Sequence, residues 1–212
     1  DTMDMLPAEA PLLAHTARSG LLLLDADSGD LLRRFEGQPH TSAVVLSRDR
    51  QWVAAGFWNS EVNRQSFAAV WERSSGRLVA RLPSRKCEVA ISPDSTLLVI
   101  GTPSEYVFHR MGTWEKIATM PIEASDVGVG TCAFSPDGRL LALHATDRVV
   151  RLVDPLQRVE IARLTSPDGH ILKRMTFSPD NRHLVVGTDA NVQLWHLAVL
   201  KEHLAELGIP WQ

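Results

Sequence analysis

Five copies of one strand-turn-strand pattern, spaced by about 43 residues and mostly offering four short turn-bounded runs each, predict an all-β chain. Four strands per unit at that period specify a β-propeller. About five four-stranded blades are expected, the last lacking its outermost strand, with a short C-terminal helix after them.

The clearest copy is Met175 to His196, MTFSPDNRHLVVGTDANVQLWH. Proline fixes φ, and Asp and Asn bond their own backbone, so Pro179-Asp180-Asn181 and Asp189-Ala-Asn punctuate three apolar runs. Thr131 to Asp154 repeats the order. Glu88 to Gly101 is a third copy, and Ala43 to Gly56 a fourth with Arg48 where the others carry Pro. Met5 to Asp25 aligns without a gap on Phe134 to Asp154, placing Pro7 on Pro136 and His15 on His144. The residues before each turn, Met5, Leu46, Ile91, Phe134 and Phe177, lie 41, 45, 43 and 43 residues apart.

In chain order, the first repeat (1–37) offers strands at Thr2–Leu6, Leu12–Thr16, within LLLLDAD and at Asp30–Phe35. The second (38–83) offers Ser42–Leu46, Trp52–Ala55, Phe67–Trp71 and Leu78–Leu82, with a long WNSEVNRQS connection. The third (84–124) offers Glu88–Ile91, Leu97–Ile100, Tyr106–His109 and Lys116–Met120. The fourth (125–167) offers Cys132–Phe134, Leu140–Leu143, Val149–Val153 and Val159–Leu164. The fifth (168–196) offers three strands only. Each sheet packs both faces on its neighbours, which explains runs such as LLALH that do not alternate cleanly. In the tail (197–212), Leu197, Leu200, Leu204 and Leu207 share one helical face, with Lys201, Glu202 and Glu206 opposite; Gly208 and Pro210 end the helix. It is expected to dock on the propeller, over the edge of the fifth repeat, or to serve as a docking helix for a partner or further domain.

Composition bounds the function. The chain has 212 residues, 44% hydrophobic and 22% charged, with net charge −3. That balance lacks the basic face nucleic acid needs, and no apolar run reaches a membrane-spanning length. No secretory signal is visible, which leans toward the cytoplasm. Cys87 and Cys132 read as buried free thiols.

The Ser-Pro-Asp turns (Ser92, Ser135, Ser178), the Gly169-His170 pair and DANVQLWH at Asp189 to His196 carry a resemblance to the WD-repeat β-propeller family, covering nearly the whole chain. The family's third strand ends in Trp-Asp. Here it ends Trp71-Glu72, Trp195-His196, Leu24-Asp25 and Val153-Asp154, and the pair is lost at His109-Arg110, so the repeats are degenerate. The resemblance implies a structural hydrogen-bond network, complete only in the fifth repeat as His170, Thr188, Asp189 and Trp195. The C-terminal LWHLAVLKEHLAELGIPW resembles the close of repeat regions in large bacterial multidomain proteins. In the family the last blade takes its outermost strand from the N-terminal end of the chain. This chain opens on an innermost strand, so three readings stand: the C-terminal blades of a longer propeller, a five-bladed ring, or completion by self-association through the open edge.

No catalytic motif, phosphate loop or zinc spacing occurs, so no catalytic residue, cofactor or metal is expected. The expected activity is that of a non-enzymatic scaffold for a protein or peptide partner, or for the missing upstream blades. Long loops on a rigid scaffold carry binding, and Trp beside Arg has hot-spot composition. The candidate partner-binding residues are therefore Phe57, Trp58 and Arg64, with Arg85 and Lys86 on the same rim. Trp114 on the opposite rim is a weaker candidate. The alternative is a metal-assisted hydrolase with a site in the central channel, built from His40, Glu88, Asp126 and His170. The neighbouring Arg85, Lys86, Lys173 and Arg174 argue against a divalent cage there.

Overall fold

The computed structural model describes residues 3–6, 12–17, 20–35, 41–57, 67–84, 86–123 and 128–206. Its first sheet contains β1 (Met3–Leu6), β2 (Leu12–Ala17), β3 (Gly20–Asp25) and β4 (Leu31–Phe35). The second contains β5 (Thr41–Leu46), β6 (Trp52–Phe57), β7 (Phe67–Glu72) and β8 (Leu78–Pro83). The third contains β9 (Glu88–Ile91), β10 (Leu97–Gly101), β11 (Glu105–Arg110) and β12 (Lys116–Pro121). The fourth contains β13 (Cys132–Phe134), β14 (Leu141–Thr146), β15 (Val149–Asp154) and β16 (Val159–Thr165). Last come β17 (Leu172–Phe177), β18 (His183–Thr188), β19 (Val192–His196) and the helix α1 (Leu197–Glu206). Each sheet is an antiparallel meander in sequence order, four of them four-stranded and the last three-stranded. The first strands of successive sheets are neighbours around a central channel. The protein is an all-β propeller with one short C-terminal helix.

Turn chemistry joins the first and second strands of each of the last four sheets. In the fourth sheet Ser135 Oγ donates to Asp137 Oδ1 at 2.7 Å and accepts from the Leu140 amide at 2.9 Å. Ser47-Asp49, Ser92-Asp94 and Ser178-Asp180 repeat this arrangement. The fourth residue of each turn has positive φ: Arg50, Ser95, Gly138 and Asn181. Glycine and Asn take that conformation readily, while Arg and Ser bear some strain.

The core lies between sheets. Leu21, Leu23 and Phe35 pack on Val53, Ala55 and Trp71. Ala68 and Val70 pack on Leu98 and Ile100. Tyr106 and Phe108 pack on Leu141, Leu143 and Val153. Val150 and Leu152 pack on Phe177, Leu184 and Val186, joined by Leu197 and Leu200 of α1. The helix thus docks where the fourth and fifth sheets meet. Leu197 also donates its amide to the Arg182 carbonyl at 2.8 Å. Lys201, Glu202 and Glu206 are exposed.

Candidate interaction site

Of the rim residues expected to bind a partner, Phe57 ends β6, its backbone paired with Thr41. Lys86 is half-buried beside the first strand of the third sheet, and its carbonyl accepts from Ser84 Oγ at 3.0 Å. Trp58, Arg64 and Arg85 lie outside the described residues. On the opposite rim Trp114 stacks edge-on against Trp52, ring centroids 5.1 Å apart.

The four residues expected to form a network in the last repeat are not all brought together. His170 Nδ1 lies 3.3 Å from Asp189 Oδ1, and Asp189 also accepts from the Ile171 amide at 3.1 Å. The Thr188 hydroxyl closes its own turn, bonding the Asn191 backbone and side chain. Among the described residues the Trp195 indole has no hydrogen-bond partner; its ring packs in the core between the last two sheets. Asp168 is the hub instead. It accepts from Ser166 Oγ, the His170 amide and Gln193 Nε2 on one oxygen and from Asn191 Nδ2 on the other. The Asn191 bond above all holds the Asp168 carboxyl down at about 2, against the opposing pull of desolvation, with the His170 amide and Ser166 hydroxyl adding to the lowering. Sequence reasoning missed Asp168, Asn191 and Gln193. The signal was present in Ser166-Pro167-Asp168, another copy of the turn tripeptide, placed between two repeats instead of inside one.

A cavity of about 430 Å³ runs along the channel between the first strands, lined mainly by apolar residues such as Val45, Ala90, Met175 and Phe177. Arg48, the residue in the proline position, lies at one end and donates to the Pro136 carbonyl at 3.0 Å. Among the candidate channel ligands, Glu88 is buried and faces Arg174 Nη1 at 2.9 Å. Burial pushes the Glu88 carboxyl above its ordinary value, and Arg174 and the Thr131 hydroxyl pull it back. A carboxylate neutralised by a guanidinium is poorly disposed to hold a divalent cation. His40 and Asp126 lie outside the described residues. Among the described residues no three His, Cys, Asp or Glu side chains group so as to hold a metal ion.

The outward face of the last sheet differs from every other face at the same position. Leu141 pairs with Val153, and Leu184 pairs with Trp195. That register makes Val192 and Leu194 the counterparts of Val150 and Leu152. Working back through the sheets, the counterparts are Tyr106 and Phe108, Ala68 and Val70, and Leu21 and Leu23. All eight are 0 to 2% exposed, buried by the following sheet, whereas Val192 is 69% and Leu194 54% exposed. At the other end of the array, Leu31 and Leu32 of β4 are also about half exposed.

The family model described as WD domain, G-beta repeat matches residues 114–154 and 161–196. Pre-mRNA-processing factor 19 of Oryza sativa subsp. japonica is 22% identical over 211 residues, covering 94% of this chain and 38% of the relative. WD repeat-containing protein SL1-17 of Schistosoma mansoni is 29% identical over 137 residues, 64% of this chain and 44% of the relative. Pre-mRNA-processing factor 19 homolog 2 of Arabidopsis thaliana is 24% identical over 125 residues, 59% of this chain and 22% of the relative. The chain thus spans less than half the length of each of these relatives. Among solved structures, the Cps50 (Swd1) beta-propeller domain of Myceliophteria thermophila superposes with a TM-score of 0.72 at 10% identity, over 92% of this chain and 68% of that one.

Proposed function

We propose that this chain, a member of the WD-repeat β-propeller family, is a non-enzymatic scaffold for protein partners and forms the C-terminal five blades of a larger propeller within a multidomain polypeptide. The blades run 1–37, 38–83, 84–124, 125–167 and 168–196, with the helix and tail at 197–212. One observation carries the reading: Val192 and Leu194 are bare at a position that every earlier sheet buries. Two such side chains left in water forgo about 1.5–3 kcal/mol each, and the outer edge of β19, which pairs with no strand among the described residues, invites another strand. A further blade covers the face, and a strand preceding that blade pairs with the edge, so upstream chain meets both requirements. The partial span on the relatives agrees with this reading. The rim formed by Phe57, Trp58, Arg64, Arg85 and Lys86 is the proposed partner-binding surface, and His170, Thr188, Asp189 and Trp195 the structural positions of the last blade.

The test compares hydrogen exchange of the β19 amides that point away from β18, together with the solution mass, for this chain alone and for the full natural polypeptide. Fast exchange in the isolated monomer and strong protection in the full polypeptide are expected. Protection of those amides in an isolated monomer would mean the array closes on itself, and protection in a dimer would assign the face to self-association. Either result overturns the proposal. Trp58→Ala separately tests the rim: undiminished binding of a co-purified partner removes that residue from the interface.

A further inference from the structure

His183 opens β18 and His196 closes β19, and the two are direct cross-strand partners. Leu184 and Trp195 pack inward, and side chains alternate along a strand, so both imidazoles stand on the outward face. His183 Nε2 and His196 Nδ1 are 2.9 Å apart, with ring centroids 4.5 Å apart and planes at 74°. The nearby Asp180 carboxylate is engaged by Ser178 Oγ and the Arg182 amide. The two rings therefore have one another as side-chain partners, on backbone already held by the β ladder.

We infer that His183 and His196 form a two-imidazole chelate for a divalent transition-metal ion, with water completing the coordination. Two nitrogens bound at about 2.0–2.1 Å and roughly 90° apart around one ion lie about 2.9 Å from each other; a tetrahedral angle would hold them about 3.3 Å apart. The observed spacing thus fits a square or tetragonal ion, Cu²⁺ or Ni²⁺, better than tetrahedral Zn²⁺. In the empty pair one ring N–H donates to the facing nitrogen of the other ring. On metal binding that proton moves, through solvent, to the far nitrogen of its own ring. Both facing lone pairs are then free, both rings stay neutral, and no net proton is released. The register fixes the two ligands before the ion arrives, so the second bond forms as an intramolecular event.

Tag-free protein titrated with Cu²⁺ tests this, followed by calorimetry and by the nitrogen hyperfine pattern in electron paramagnetic resonance. One ion per chain coordinated by two imidazole nitrogens is expected. His183→Ala and His196→Ala are each expected to weaken binding about tenfold or more, while His203→Ala on α1 leaves it unchanged. His183→Phe keeps a ring in place and removes the ligand, which separates loss of binding from loss of fold when both variants are followed by thermal melting. Absence of stoichiometric uptake, a single-nitrogen signal, or uptake unchanged in both His183 and His196 variants overturns the assignment.

Discussion

His144 is 1% exposed, and neither of its ring nitrogens has a hydrogen-bond partner. It sits on β14 beside Ala142, on the face covered by the fifth sheet. Burial lowers its basicity to about 4; Asp147 pulls upward and Lys173 pushes further down. The folded-state value is thus below that of the unfolded chain, about 6.5. Stability from keeping this ring neutral is whole above pH 6.5 and is lost as pH falls from about 6.5 to 4. The loss is on the order of 3 kcal/mol. Urea midpoints followed against pH should fall more steeply over that window in the natural chain than in His144→Leu. Parallel curves for the two proteins would sink this account. By contrast, Cys87 is buried as expected but Cys132 is half-buried beside the channel cavity; desolvation there holds its thiol above the ordinary range, with Glu88 and Cys87 adding to the effect, which disfavours the reactive thiolate.

The recurring Ser-Pro-Asp tripeptide suggests that proline makes the turn, yet the structure distributes the work differently. Arg48 replaces the proline in the second sheet, and Ser47 and Asp49 still make the same bonds as their counterparts. Serine supplies a hydroxyl that satisfies the first amide of the next strand, and Asp holds that hydroxyl and a second amide. Ser135 is 1% exposed. Ser135→Ala should therefore cost about 1–2 kcal/mol, because it leaves the buried Leu140 amide unpaired. Pro136→Arg, which copies the second sheet, should cost less than about 1 kcal/mol. Chemical denaturation of both variants measures the contrast, and equal losses would mean that proline stiffness matters as much as the hydroxyl. The helix shows a related division. Its apolar spacing was legible in the sequence, but its docking place between the fourth and fifth sheets was not. Periodicity says which face is buried and is silent on what buries it.

At the scale of the whole molecule, one repeat position reports whether a following sheet is present. Gly56, Gly101, His144 and Gly187 occupy it in successive second strands, spaced by the repeat period. A Cβ on Gly101 would lie 1.8 Å from the Gly130 carbonyl oxygen, and one on Gly56 2.3 Å from that of Cys87, each at the entrance to the next sheet. At Gly187 the closest atom is the Arg174 carbonyl oxygen of the same sheet, at 3.8 Å. Gly101→Ala should therefore destabilise the chain by about 3 kcal/mol or more, through backbone overpacking. Gly187→Ala should stay within about 0.5 kcal/mol of the natural chain, or gain slightly from reduced unfolded-state entropy. In the full polypeptide the same Gly187→Ala should become costly if a further blade packs there. Thermal melting of both variants in both contexts provides the measurement, and a penalty for Gly187→Ala confined to the full polypeptide counts for an adjoining blade, whereas His144 shows that a side chain at this position can also be housed beneath a following sheet.

The residues by themselves determined the repeat, its period, its strands and the all-β class. These follow from local rules: turn residues with special backbone geometry, and apolar runs of strand length between them. The first strands of the third and fourth sheets begin and end where the sequence placed them, at Glu88–Ile91 and Cys132–Phe134. Tertiary structure decided which carboxylate organises the last rim, since Asp168 gains its partners from β19 and the turn before it. It also decided that Glu88 faces Arg174 from two sheets away, and that two histidines thirteen residues apart touch. Most of all it decided that Val192 and Leu194 are bare. In sequence they are ordinary strand residues, indistinguishable from Val150 and Leu152. Burial is a property of what packs against a face, and a strand's own residues do not encode whether the neighbouring sheet is there.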